Sequence, residues 1–423
     1  MAATAAAHRS CDVLVIGGGP AGAAAATHLA VQGLDVVIVE KDRHPRFHIG
    51  ESLLPQSLPL LEELGALDAV RRIGVPKAAA EFISEDGAIE TVFEFRRALL
   101  GGPPGAFQVR RSEFDEILFA RAIEAGATAL QQTTASVRSL DADGAVVETR
   151  DADGQLTEWR ARFLVDASGR STVTAKLLAQ KHPDPHNTSA AIFGHFRGVP
   201  RANGARAGNI RIHLTRPGWM WQIPLREDIT SIGLVAPGAY MEAREGGIEA
   251  FFATHCARHP HVAAALRPAG RVGPLRATGN FSYRASEAAG PSHVKVGDAY
   301  GFVDPIFSTG VHLALVSARE AAHTVRLVLD SPDRRARHLA RYDRGLRRRL
   351  AFVSWFIYRI QDPAFRHMMV HPRDVLGMER AVISLLAGDF RRDPRLRLRV
   401  AMFKATRYMV DRLGRANEGE TIG

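Results

Sequence analysis

After a short alanine-rich start, the chain reads "DVLVIGGGPAGAAAATHLAVQGLDVVIVEKD". An unbroken apolar run covers 12–16, small residues at helical spacing cover 21–32, and a second apolar run covers 36–40. Such runs predict parallel strands buried on both faces, and the segment between them predicts the crossover helix of a βαβ unit. "RFHIGESLLPQSLPLLEELGALDAV" predicts a loop and then an amphipathic helix, and 81–95 and 106–109 look strand-like. "RRSEFDEILFARAIEAGA" predicts a helix closed at Gly126. The patterns at 134–140, 145–148 and 156–165 predict a small antiparallel element. From 190 to about 275 the pattern is strand-rich, 294–298 is again a buried strand, and 311–330 is helical. The stretch 334–413 is mostly helical, with breaks at Pro363, Pro372 and Pro394.

Strands suited to one parallel sheet therefore lie at the start, at the middle and near residue 296. The expected fold class is α/β, with a discontinuous nucleotide-binding domain over 9–80, 105–185 and 280–332. A β-rich substrate domain takes 81–104 and 186–279, and a helical region takes 333–423.

Composition narrows the picture. The 423 residues are 46% hydrophobic, enough for a large core in two or three units. Two cysteines, Cys11 and Cys256, cannot make a disulfide framework and point to a reducing, cytoplasmic compartment. The N-terminal stretch lacks a basic n-region and reads as a strand, not a signal peptide. No segment has the roughly 18–20 apolar residues of a membrane span. The histidines show no metal-ligand spacing, so no metal is expected. The net charge of +10 is concentrated in "RRARHLARYDRGLRRRL", Arg334–Leu350. That is either a solvated face or a dock for an acidic partner such as a carrier protein, for which Arg347–Arg349 are the candidates. No nucleic-acid motif accompanies it.

Candidate chemistry begins with Gly17-x-Gly19-x-x-Gly22 between strand and helix, with Pro20 and Ala21 inside it. The glycines let the backbone approach a pyrophosphate at a helix N-terminus, and Glu40, followed by Lys41, ends the second strand where a carboxylate bonds ribose hydroxyls. FAD and NAD share this fingerprint. The chain resembles the glutathione-reductase-like flavoproteins with the p-hydroxybenzoate hydroxylase fold. The residues that carry the resemblance are Gly297-Asp298 with Pro305, "VDASGRST" around Asp166, and the Arg111 helix "RRSEFDEIL". The resemblance implies FAD, with Asp298 on the ribityl chain, Pro305 and the following helix start at the flavin ring, and Arg111 as a contact. Arg46, His48, Ile49, Gly50, Glu51 and Ser52 complete the implied cofactor set. A second Gly-x-Gly-x-x-Gly on a βα turn is absent, so no separate NAD domain is evident, and the resemblance implies a separate NAD(P)H-dependent flavin reductase as partner.

"FHIGESLLP", "GWMWQIP" and "DPIFSTGVHLAL" together resemble the flavin-dependent halogenases, especially those acting on phenolic or pyrrolic rings. The resemblance implies that reduced FAD and oxygen form a flavin hydroperoxide that oxidises chloride or bromide to hypohalous acid. Ser308, Thr309 and Gly310 would hold the halide at backbone N–H groups, with Gly310 also touching the flavin. Lys77 would relay the hypohalous acid to an electron-rich aromatic, free or tethered to an acidic carrier. Trp219, Trp221, Pro224 and Phe307 would line the route. The two tryptophans are expected on opposite faces of one strand, and no lysine besides Lys77 is a good candidate. Tryptophan halogenases carry a glutamate where Phe307 stands, so free tryptophan is not the expected substrate. Other readings stay open. The helix start serves flavin without halide in hydroxylases, Lys77 at a helix end would be a surface lysine, and the tryptophans would look the same as plain core. At the level of function the alternatives are an FAD-dependent aromatic monooxygenase or lipid-chain reductase, or an FAD-holding binding protein without chemistry.

Overall fold

The computed structural model describes residues 7–185, 187–279 and 282–420, with side chains to 412. The expected boundaries at 186 and 280 fall on residues outside that set.

An eight-stranded sheet forms around Ala7–Ile16, which pairs in parallel with Val36–Val39 on one side and Leu156–Asp166 on the other. Thr128–Leu130 and His293–Lys295 extend it in parallel at the two flanks. Alternation decides its layers. Val13, Val15, Val36 and Ile38 join the core under the helices, whereas Leu14, Ile16, Val37 and Val39 join a second cluster with Val137, Val147 and Trp159. Every apolar residue of the runs is therefore buried, on one face or the other. Helix Pro20–Val31 packs against Arg111–Glu124 and Thr309–Asp330. Its run of alanines lets these axes approach closely.

The antiparallel element expected over 134–165 is not separate. Leu156–Asp166 pairs antiparallel with Ala145–Arg150 along one edge and parallel with Ala7–Ile16 along the other, so it belongs to the main sheet. The strand expected over 294–298 stops at Lys295. The helix takes over its backbone, since Gly297 N–H donates to Ser317 Oγ at 2.9 Å.

The second sheet has seven strands, in the order Gly270–Thr278, Ser189–Arg197, Ile229–Pro237, Gly218–Pro224, Ile210–Thr215, Ala79–Ile83 and Glu90–Glu94. One face, with Trp219, Trp221, Phe193 and Phe82, joins the main core. The other, with Met220, Ile232 and Leu234, is covered by helices Gly247–Arg258 and Pro260–Leu266. The strand-rich reading of 190–275 missed these helices.

At the C-terminus, Arg335–Ile357, Pro363–Val370, Met378–Leu386 and Pro394–Glu420 are helices. Pro363 and Pro394 open helices, where a missing N–H costs nothing. Asp362 caps the first of these two, accepting from Phe365 N–H at 2.8 Å. Among the described residues no helix is long and apolar enough to cross a membrane.

Candidate active site

The glycine turn has the shape a pyrophosphate needs. A Cβ at Gly22 would lie 1.8 Å from the Gly17 carbonyl oxygen, so only glycine lets the helix start this close to the strand. Gly19 precedes the helix, with Pro20 at its first position and Ala21 in its first turn. The buried Glu40 carboxylate accepts from Gly18 N–H at 2.6 Å and Asp42 N–H at 3.0 Å, which fixes both oxygens at the turn and leaves each a lone pair. Arg46 stands 3.5 Å from Glu40 and 3.3 Å from Asp115. Lys41 does not share this geometry: it is exposed and pairs with Asp42.

Arg111 opens its helix and is held on three sides, by both oxygens of Asp115 and by the Ile49 carbonyl at 2.6 Å. It ties the segment carrying His48, Ile49 and Gly50 to the helix. The guanidinium charge disfavours the imidazolium form of the exposed His48 and holds its pKa below the ordinary value. A cleft of about 310 Å³ lies here, lined in part by Phe47, His48, Glu51, Arg110 and Arg111. Glu51 is buried, with Oε1 2.7 Å from His195 Nε2 and Oε2 without a partner among the described residues. Asp298 also presents a carboxylate with no hydrogen bond among the described residues, and burial raises it to about 6. Asp166 accepts from Ser168 N–H with Oδ1 and from Thr174 N–H and hydroxyl with Oδ2, so it holds the following turn and keeps a lone pair on Oδ1 alone.

These observations fit FAD: a cradle only glycine permits, a ribose-type carboxylate, and two acids with open acceptors beside a basic cleft. The residues that would hold it are Gly17–Gly22, Glu40, Arg46, His48–Glu51, Arg111, Asp298 and Pro305.

Beyond the cleft, Pro305–Phe307 makes a tight turn into the helix Thr309–Asp330. Ser308 adopts left-handed backbone, and no side chain caps the helix or places an acid in its first turn. Its first N–H groups are therefore free for an anion. Asp304 accepts from Ile306 N–H at 3.1 Å, and burial raises it to about 6. Phe307 and Thr309 face a tight apolar chamber of about 20 Å³, closed by Val353, Phe356, Leu386 and Phe390 from the C-terminal helices.

Lys77 is not a surface lysine. It ends the short strand Val75–Lys77, is 2% exposed, and donates to Ser52 Oγ at 2.8 Å and the Leu53 carbonyl at 3.1 Å. Its ammonium lies 5.2 Å from the Phe95 ring centre. Burial brings it down to about 7. Ser52, expected at the cofactor, gives its hydroxyl to Lys77. The same loop reaches the helix Thr309–Asp330 on its other side, where Ser57 Oγ lies 3.4 Å from Nδ1 of His312. The loop 51–57 thus touches the lysine with one end and that helix with the other.

Trp219 and Trp221 point the same way, with ring centres 5.9 Å apart. Residues two apart in a strand share a face, so the expectation of opposite faces is corrected; Met220 takes the other side. Pro224 ends that strand opposite Thr230. Lysine 77 is not alone either. Lys295 is fully buried and lowered to about 8, but it is spent on Gln180 Oε1 and the Glu287 carbonyl at the flank of the main sheet. No short motif marks Lys295, Phe95 or the Ser57–His312 contact, which arise only from folding.

The family model for tryptophan halogenases matches residues 77–362, and a model for FAD-dependent oxidoreductases matches 12–52. The chain belongs to the flavin-dependent halogenase family. The halogenase is 30% identical to the 1H-pyrrole-2-carbonyl-(peptidyl-carrier protein) chlorinase of Pseudomonas fluorescens, over 89% of each chain. It is 35% identical to the flavin-dependent halogenase gsfI of Penicillium aethiopicum over 75% of its own length, and spans 64% of that relative. Among solved structures, the myxobacterial chondrochloren halogenase CndH matches with a TM-score of 0.78 at 29% identity, over 90% of each chain. A flavoprotein/dehydrogenase from Cytophaga hutchinsonii matches with a TM-score of 0.86 at 27% identity, over 95% of this chain and 99% of that one. The halogenase is an FAD-dependent oxidoreductase.

Proposed function

We propose that this halogenase transfers chlorine or bromine to an electron-rich phenol or pyrrole, with Lys77 as the relay between a halide site at Ser308–Gly310 and the aromatic ring. The observation that carries the reading is the lysine itself. It is buried, has no carboxylate partner among the described residues, and sits across one loop from a helix start with free N–H groups. Burial without an ion pair favours its neutral, nucleophilic form.

In this reading the eight-stranded unit holds the cofactor and the seven-stranded unit shapes the aromatic's surroundings. Bound reduced FAD supplies, with dioxygen, the two-electron oxidation of halide to hypohalous acid. Thr309 and Gly310 N–H groups hold the halide beforehand. The neutral Lys77 amine attacks the halogen of hypohalous acid, so that an N–halogen bond forms, the O–halogen bond breaks, and water leaves with the amine proton. The ring carbon then takes the halogen, the N–halogen bond breaks with its electron pair staying on nitrogen, and the proton lost by the ring restores the Lys77 amine. A phenol or pyrrole activates that carbon through its heteroatom, consistent with Phe307 standing where an acid would otherwise polarise an indole. The tryptophan pair walls the route and keeps the ring from the oxidant. A separate flavin reductase supplies reduced FAD, and the pyrrole-carrier chlorinase relative supports a carrier-tethered substrate. The two unpaired buried thiols, Cys11 and Cys256, suit the reducing cytoplasm.

With flavin reductase, NADH, bromide and a simple phenol, the expected product is the bromophenol. Lys77→Ala is expected to abolish it while FAD binding and oxidation of reduced flavin persist. Hydroxylated product formed without halide would instead place the chain with the aromatic monooxygenases that share the scaffold.

A further inference from the structure

Lys77 is the last residue of a two-stranded ribbon, Val75–Lys77 against Ala106–Gln108, and two residues later the chain is already in the seven-stranded sheet. Ala78 lies between the two, where neither ladder supplies its N–H. Both crossing amides go to one side chain. Asn209 Oδ1 accepts from Ala78 N–H at 3.1 Å and Ala79 N–H at 2.9 Å. The Ala78 carbonyl accepts from Phe95 N–H at 3.0 Å, so the residue next to Lys77 also fixes the ring over its ammonium. On the other side of Lys77, Gly208 is pressed onto Pro76. A Cβ there would lie 1.9 Å from the Pro76 carbonyl oxygen.

Asn209 could present either end of its amide to the backbone. Glu81 decides which. Its carboxylate, 0% exposed, accepts from Asn209 Nδ2 at 2.8 Å, which turns Oδ1 toward the two amides. Arg206 in turn grips both oxygens of Glu81 at 2.9 and 2.8 Å. A buried carboxylate with this many donors is an expensive way to stabilise a strand crossing, because desolvation offsets much of the gain. It is an effective way to hold one backbone geometry.

We infer that Asn209, oriented by Glu81 and Arg206, is a positioning residue that holds the Lys77 amine in its buried place between Ser52 and Phe95. The inference rests on the reading of Lys77 as the relay.

The test uses full-length enzyme carrying Asn209→Ala, Asn209→Asp, and Asn209→Asp with Glu81→Gln. In Asn209→Ala, halogenation is expected to fall on the order of a hundredfold, the cost of about 1 Å of misplacement, with the KM for the aromatic near wild type. The pH limb of halogenation, expected near 7 in the wild type from the burial of Lys77, should move up toward the ordinary lysine value as the amine gains access to water. Hydrogen exchange at Ala78 and Ala79 should quicken, and FAD affinity should hold. Asn209→Asp sets two carboxylates against each other and should behave alike. Adding Glu81→Gln restores a donor to the new carboxylate and should recover both rate and pH limb.

An Asn209→Ala variant with wild-type rate and pH limb overturns the inference. So does a double variant that binds FAD yet shows no recovery over Asn209→Asp. Lys77→Ala separates the two readings. If it halogenates normally, the relay falls and this inference with it. If it is dead beside an unaffected Asn209→Ala, only the positioning role falls.

Discussion

The buried Lys77 titrates where it matters, and the sign of its linkage can be worked out. Burial lowers it from the ordinary 10.5 to about 7. Below about 7 both folded and unfolded chains carry the proton, and the fold bears the whole burial penalty. Between about 7 and 10.5 only the unfolded chain holds it, so the stability contributed at this position rises with pH. Lys77→Met should therefore be more stable than wild type at pH 6 by on the order of a few kcal/mol, and the difference should shrink toward pH 10. Denaturant melts at a series of pH values measure it. Catalysis should follow the same proton in the other reading. Halogenation should rise through about pH 7 as the amine becomes neutral, and a fall through that pH would assign the protonated amine as the active form. At this scale the sequence is readable where residues sit in a contiguous motif, as at the turn Gly17–Gly22. It is silent where a partner comes from far along the chain, as Ser52 and Asn209 do. The tryptophan pair is visible in the sequence, and its spacing of two means one shared face, as the 5.9 Å ring separation shows.

Among elements, the helix Thr309–Asp330 shares an uncapped, acid-free start with Pro20–Val31 and Arg335–Ile357, and it is the one that follows the turn proposed for halide. Its N-terminus has neither a side-chain cap nor an acid, although Ser308, with φ of 54°, occupies the capping position. Asp tolerates left-handed backbone, so Ser308→Asp should keep the turn and place a fixed carboxylate at the free N–H groups. A cap of this kind is worth about 1 kcal/mol. The KM for bromide should rise roughly fivefold, with FAD affinity little changed; steady-state kinetics at varied bromide decide it. An unchanged KM would move the halide elsewhere. The pattern predicted this helix to within two residues, because its apolar face repeats over six turns. It missed Gly247–Arg258 and Pro260–Leu266, whose short amphipathic stretches lie among strands and gain their order by covering Met220, Ile232 and Leu234. The strand Leu156–Asp166 was legible, but its membership was not, since one strand serves two neighbours in opposite directions.

At the scale of the molecule, the excess charge has a definite shape. Within the helix Arg335–Ile357, Arg347 is held by Asp343 and by the Ser286 carbonyl, and Arg349 is held by Glu320. Two of the three arginines that the sequence favoured as a dock, Arg347 and Arg349 but not Arg348, are thus tied to their own chain. Arg337, Arg341, Arg344 and Arg348 are exposed and make no ion pair among the described residues. Their spacing of four, three and four puts them on one face, opposite Leu339, Tyr342, Leu346 and Leu350, which are buried. The stripe ends five residues before Val353, about 8 Å along the axis at 1.5 Å per residue, and Val353 and Phe356 wall the apolar chamber beside Phe307 and Thr309. An acidic carrier seated on this face would stand next to the helices that close the chamber. Reversing Arg337, Arg341, Arg344 and Arg348 to glutamate should raise the KM for a carrier-bound pyrrole about tenfold at low salt and leave the KM for a free phenol unchanged. The wild-type preference for the carrier form should weaken as salt screens the stripe. Reversal of Arg347 and Arg349 breaks internal pairs instead, and should lower the melting temperature without discriminating the two substrates. Equal KM shifts for both substrates in the stripe variant would remove the carrier from this face.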